Sequence, residues 1–291
     1  MPTLRQVRTK IGSTKSIKRI TGAMKLISVV KLQRAQEMLL PFRAYSDAFS
    51  ELAKSIATRC DPEQHPLLRV EEGPKNLHIV FMTSDRGLCG SFNSNLMRKT
   101  ETFLAVDAKG YEKVEFQFLG RRGRDYWRRR GITPIKSYTG VSERNYTEAA
   151  GEIAKAIIKG FVKREYDEVI LVYNYFRSAI SQVITFKKLL PIERLKEEAG
   201  TQGVDYLYEP SRGEVLNFVL PQYVEISVRR AVLESITSEH GARMSAMDNA
   251  TRNADDVIRR LTLLFNKTRQ ATITKELMDI VNGAEAQRRG G

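Results

Sequence analysis

The sequence predicts an α/β domain joined to a long antiparallel helical coiled coil that the two chain ends build together. Three observations predict this. Apolar residues step by three and four along both ends of the chain. Short β-rich runs alternate with helical runs in the middle, the pattern of a Rossmann-like, mainly parallel sheet. Prolines and glycines gather in the two stretches between them.

The first helix starts at Thr3 or Pro2. Leu4, Val7 and Ile11, then Ile17, Ile20, Met24 and Ile27, then Leu32, Ala35, Met38 and Leu39 mark its apolar face. No proline appears before Pro41, so a run of about 38 residues spans about 57 Å. The pattern resumes at Tyr45, Phe49, Leu52 and Ile56, so Pro41 bends the helix instead of ending it. Gly12 and Gly22 each cost about 1 kcal/mol against Ala, which the close approach of another helix or chain would offset, chance tolerance being the alternative.

The middle begins after a proline-containing linker, residues 59–74. A strand over 76–83 enters the turn Ser84–Asn93, and a helix follows over 94–106. A strand at 114–119, a basic helix at 121–130, a helix at 147–165 and strands at 168–173 and 182–189 complete it. The α/β domain spans 75–197 and a second linker spans 198–211. The discontinuous coiled-coil segment comprises 1–58 and 212–287.

The last helix reads from Gln222 to Ala286. Met247, Thr251, Ala254, Ile258, Leu261, Phe265, Thr268 and Thr272 alternate steps of four and three, a heptad seam. Several of these residues are small or hydroxylated, so the seam is thin. The other long helix, at the opposite chain end, gives it a partner; separate packing of each helix on a globular core is the alternative.

Composition narrows the function. Apolar residues are 42% of the 291, enough for a packed core. Two cysteines exclude a disulfide framework and a Cys-rich zinc site, and three histidines leave little for a His-built metal site. No apolar run is long enough to span a bilayer, and the polar, basic N-terminus leads into no signal-like core. The net charge is +14, and the first 58 residues supply +8 of it. From Met1 to Gln36 there is no acid at all. Such a helix needs an anionic partner or tolerates self-repulsion as a solvated positive face.

Catalytic signals are weak. Gly87-Leu-Cys-Gly90 lies between a strand and a helix, but its spacing is GxxG, and no acid follows the second strand. A tight turn accounts for it better than a nucleotide site, and Cys89 reads as a small buried apolar residue. No metalloprotease or nucleophile-elbow motif occurs. Asp255 and Asp256 read as a solvated helix face. The cluster Arg121, Arg122, Arg124, Arg128, Arg129 and Arg130 with Tyr126 and Trp127 has the composition of a nucleic-acid patch. A basic coiled-coil nucleic-acid-binding protein is therefore the alternative reading, and a surface helix facing an acidic protein accounts for the cluster equally well.

Three stretches together resemble the gamma-subunit family of the rotary F-type ATP synthases, bacterial type. They are Thr9–Leu26, Ser84–Asn93, and Ser238–Met247 continuing into Asn266–Ala286, where Ile273, Thr274, Glu276, Asp279, Gly283 and Ala284 stand in the family's order. The resemblance implies a non-catalytic central rotor shaft without cofactor or metal. Its partners would be the alpha and beta subunits of the catalytic hexamer, the epsilon subunit and the membrane ring of c subunits, not nucleic acid. By resemblance, Met24 and Lys25 meet an acidic loop of the catalytic subunits, and Arg269, Gln270 and Thr274 meet the upper part of the ring. Arg243 matches another coupling position, and Lys18 and Arg86 are further subunit-contact candidates. Chloroplast-type members carry a regulatory insert with paired cysteines. Cys60 and Cys89 lie in no such insert, so the resemblance implies a peripheral protein on the cytoplasmic face of a bacterial membrane.

Overall fold

The computed structural model describes residues 3–194 and 206–289. Residues 195–197 of the expected α/β segment and 198–205 of the expected second linker lie outside the described residues. The elements, in chain order, are α1 (Leu4–Thr58), β1 (Asn76–Met82), α2 (Phe92–Val106), β2 (Lys113–Leu119), α3 (Arg121–Arg128), β3 (Lys136–Tyr138), α4 (Tyr146–Val162), β4 (Glu168–Phe176), β5 (Gln182–Leu190) and α5 (Arg212–Arg289), with two short 3₁₀ turns between α1 and β1. The chain divides into two compact units. One holds the residues up to Ile27 and from Ala246 onward, and the other is Ser28–Ser245.

The larger unit is built on a five-stranded sheet of order β3-β2-β1-β4-β5. β1 pairs in parallel with β2 and β4, β2 pairs in parallel with β3, and β5 runs antiparallel to β4. Strand alternation divides the core into two layers. Leu77, Ile79 and Phe81 of β1 and Phe116 and Phe118 of β2 face α2 and α3, where Trp127 completes an aromatic cluster. Val80, Met82, Val169 and Leu171 face α4 and the Ser28–Ser245 portions of α1 and α5. Helices on both faces explain why the strands are nearly continuous apolar runs. His78 interrupts β1, where its ring stacks on Tyr166 at 4.5 Å and its Nε2 meets Gln117 at 3.0 Å. Burial holds that imidazole below its usual range.

The smaller unit is an antiparallel helix pair. Lys18 and Lys25 of α1 meet Asp255 and Asp248 of α5, each at 2.6 Å. Between them Thr251 donates to the Thr21 hydroxyl at 2.8 Å. As numbers rise on one helix they fall on the other, the signature of antiparallel pairing. The α5 seam lies where its spacing predicts: Met247 and Ala254 are buried, and Thr251, Ile258, Leu261, Phe265, Thr268 and Thr272 are half-buried between exposed neighbours.

Several expectations need correction. The α1 seam is Leu4, Val7, Ile11, Thr14, Lys18, Thr21, Lys25 and Ser28, which then continues through Leu32, Ala35 and Leu39. Ile17, Ile20 and Ile27 point outward at 52%, 59% and 59% exposure. The steps of four and three hold throughout, but hydroxyls and lysine stems occupy part of the seam. Lysine can lay its stem over small facing residues while its ammonium reaches a carboxylate, and an apolar-only pattern overlooks this. Asp255 belongs to the coil rather than to a solvated face. A Cβ at Gly12 or Gly22 would meet nothing within 4 Å, so close helix approach does not explain these glycines. The Lys136–Tyr138 strand was not expected, and α5 begins ten residues before Gln222, passing through Pro221. As expected, Pro41 does not end α1.

Candidate functional site

In sheets of this kind, ligands bind beyond the carboxyl ends of the strands, where strand order reverses. Here the reversal falls between β1 and β4. The turn after β1 is tightly built. The Thr83 hydroxyl accepts from the Gly123 amide at 2.8 Å. Gly120, at φ 96, lies so close that a Cβ there would stand 2.0 Å from the Thr83 carbonyl oxygen. Asp85 accepts from the Arg121 amide at 2.9 Å and the Gly140 amide at 2.6 Å. Asn93 ties the turn to α2. It accepts from the Ser84 amide at 3.0 Å and donates to the Ser84 hydroxyl at 2.7 Å.

The crevice above this turn is filled by α5. Ser238 donates to the Asn174 carbonyl of β4 at 2.9 Å. Gly241 abuts the β4–β5 turn, where a Cβ would come within 3.1 Å of Ala179 Cα. Ala242 packs on Cys89 and Phe92. Arg243 donates to the carbonyls of Arg86 and Gly87 at 3.3 and 3.4 Å and to Glu239 at 2.6 Å. The GxxG turn therefore receives a helix of its own chain where a nucleotide would lie. Leu88, at φ 63, is its exposed tip. Burial pushes the Cys89 thiol above its usual range, so it is poorly nucleophilic.

Glu143 and Lys187, which face α5, are strongly shifted. His240 meets Glu143 at 2.5 Å, and that hydrogen bond, against the opposing effect of burial, holds Glu143 down at about 2. Lys187 of β5 is pushed down to about 8 by burial, with Arg230 and Lys54 adding to the effect. The Glu143–His240 contact and the Lys187–Ser227 contact at 3.4 Å each tie α5 to a neighbouring segment. Among the described residues no cluster of three His, Cys, Asp or Glu is placed to hold a metal.

The subunit-contact candidates fall in both units. Arg86 and Arg243 come together in the larger one through the contact just described, with the Arg86 side chain exposed. In the smaller unit Lys18 and Lys25 are engaged by α5 acids, and Met24 is half-buried beside them. Arg269 and Gln270 are exposed on α5, and the Thr274 hydroxyl donates to the Gln270 carbonyl at 2.9 Å. Sequence reasoning overlooked Glu143, Lys187, Arg43 and Glu234. The signal for Glu234 was a carboxylate set among Val232, Leu233 and Ile236, all buried.

The arginine cluster lacks the stacking surface that single-stranded nucleic acid needs. Trp127 is 3% exposed, and Arg130 covers the Tyr126 ring at 3.8 Å. Arg124 pairs with Asp125, and Arg130 with Glu101.

Comparison with known proteins agrees with this geometry. The family model described as ATP synthase matches residues 3–287. An ATP synthase gamma chain from Anaeromyxobacter sp. is 46% identical, covering 98% of this chain and 99% of its own length. One from Bdellovibrio bacteriovorus is 43% identical with the same coverage. Among solved structures, a chain of the central stalk and c-ring of Tetrahymena thermophila mitochondrial ATP synthase aligns with a TM-score of 0.60 at 26% identity, over 79% of this chain and 99% of that one. A chain of the Euglena gracilis mitochondrial enzyme aligns with a TM-score of 0.67 at 19% identity, over 99% and 95%. The match runs through both terminal helices and the sheet between them, and the chain belongs to the ATP synthase gamma chain family.

Proposed function

We propose that this gamma subunit is the non-catalytic axle of a bacterial F-type ATP synthase. It couples ion flow through the ring of c subunits to nucleotide chemistry at the beta subunits. One observation carries the reading furthest. In the antiparallel register set by Lys18–Asp255 and Lys25–Asp248, Leu4 lies opposite residues near 269. The last turns of α5 therefore extend past the start of α1. They expose Ile273, Leu277, Met278, Ile280 and Val281 at 49–68%. Exposed apolar residues on a lone helix end call for an enclosing partner, and a ring of alpha and beta subunits supplies one. Arg269, Gln270 and Thr274 sit at the base of that extension, and Met24 lies near the acid-free face of α1.

The sheet unit, with its crevice filled from within, suits the foot that meets the epsilon subunit and the c ring. The segments 1–58 and 212–287 form the axle and 75–197 the foot, with 59–74 and 198–211 joining them. No described helix is long and apolar enough to cross a membrane, and peripheral attachment at the cytoplasmic face through the c ring accords with the bacterial relatives. The test is affinity isolation of the tagged chain from detergent-extracted membranes. Alpha and beta subunits with ATPase activity are expected in the eluate. Isolation of the chain alone, or with salt-sensitive nucleic acid in their place, overturns the reading.

A further inference from the structure

We propose that Arg43 and Glu234 are positioning residues for rotary coupling: a buried ionic node that locks α1 and α5 to the end of β4, so that the sheet turns with the helices. This rests on the axle reading above. The Glu234 side chain is wholly buried. Arg43 grips it with two prongs, Nε to Oε1 at 2.7 Å and Nη2 to Oε2 at 2.6 Å. Both partners then hold the last residue of β4. Arg43 donates to the Phe176 carbonyl at 2.5 Å, and Glu234 accepts from the Phe176 amide at 2.9 Å. The guanidinium also lies over the Tyr175 ring, 4.5 Å from its centre.

Leu32, Leu39, Leu233 and Phe176 pack close by as a dry cluster. Asp47, one turn after Arg43 on α1, pairs with Arg230, one turn before Glu234 on α5, and Arg230 stands 3.8 Å from Glu234. Three elements thus share four hydrogen bonds around two side chains. A buried ion pair adds little net stability over an apolar replacement of the same shape. Its distinctive property is direction. A planar fork on a carboxylate fixes both the distance and the orientation of the groups it joins. A part that must carry twist needs that constraint at the place where helices meet sheet.

The experiment uses complete synthase in inverted membrane vesicles, measuring ATP hydrolysis and ATP-driven ion uptake in the same preparation. The wild-type chain should support both; if it supports neither, the axle reading fails and the node falls with it. In the double variant Arg43→Met with Glu234→Leu, hydrolysis should persist while ion uptake per ATP falls at least about fivefold, the low end of an ordinary coupling energy. A purely structural role lowers both rates together through loss of assembled complex, leaving their ratio unchanged. Should the double variant fail to assemble, Arg43→Lys decides, because it keeps the charge and loses the fork. A reduced ratio in Arg43→Lys supports the node, and a wild-type ratio in either assembled variant overturns it while leaving the axle reading intact.

Discussion

Replacing Lys187 with Met should make the protein more stable at neutral pH. The ammonium lies beneath α5, 5.8 Å from the centre of the Tyr223 ring and 3.4 Å from the Ser227 hydroxyl. Arg230 of α5 and Lys54 of α1 repel it, and Asp47 and Glu193 compensate only in part. A fall from 10.5 to about 8 corresponds to about 3 kcal/mol at about 1.4 kcal/mol per pH unit. The stem keeps part of its surface in water, so about 2 kcal/mol is the better figure. The folded pKa is depressed, so the charged form is penalised in the fold. The penalty is complete below about 8, shrinks as pH rises, and vanishes above the unfolded value of 10.5. Denaturant unfolding of the purified chain between pH 7 and 11 reads this directly. Wild type should gain stability between pH 8 and 10.5, and Lys187→Met should remove that slope and melt about 4 °C higher at pH 7. A less stable variant, or an advantage that does not shrink above pH 8, refutes the reasoning.

Four further outcomes are expected. Glu143 at about 2 against an ordinary 4.5 contributes about 2 kcal/mol that is present above pH 4.5 and lost as pH falls toward 2, so Glu143→Gln should flatten acid unfolding over that window. Gly120→Ala places a Cβ against the Thr83 carbonyl at φ 96 and should cost at least about 3 kcal/mol in equilibrium unfolding. Gly22→Ala meets open space and should raise helix stability by about 1 kcal/mol, seen as a higher midpoint. Cys60 and Cys89 are both buried, so a thiol reagent should modify them slowly in the native protein and rapidly in denaturant.

The periodic and β-rich signals were strong enough to place both terminal helices, four of the five strands and the α5 seam. The α1 seam was misread because its middle is made of Thr14, Lys18, Thr21, Lys25 and Ser28, residues that a hydrophobic pattern counts as surface. Ile17 and Ile20, lying on the outer side, drew the pattern away. β3 is three residues long, too short for any period to show. The GxxG stretch forms a tight turn, but nothing in the local sequence says what fills the space above it. That follows from α5 packing against residues about 150 positions earlier in the chain. Arg43, Glu234, Glu143 and His240 are likewise paired over separations that periodicity cannot see, and only the buried carboxylate at Glu234 left a trace.

The self-filled crevice bears on the inhibition of this enzyme class. A nucleotide mimic designed for the strand ends of this sheet would have to evict a turn of α5, breaking the Ser238 and Arg243 contacts and uncovering Cys89. Compounds directed at the complex therefore have little to gain from this fold's customary cofactor seat, and screens on the isolated subunit with adenine-based libraries should return few genuine hits.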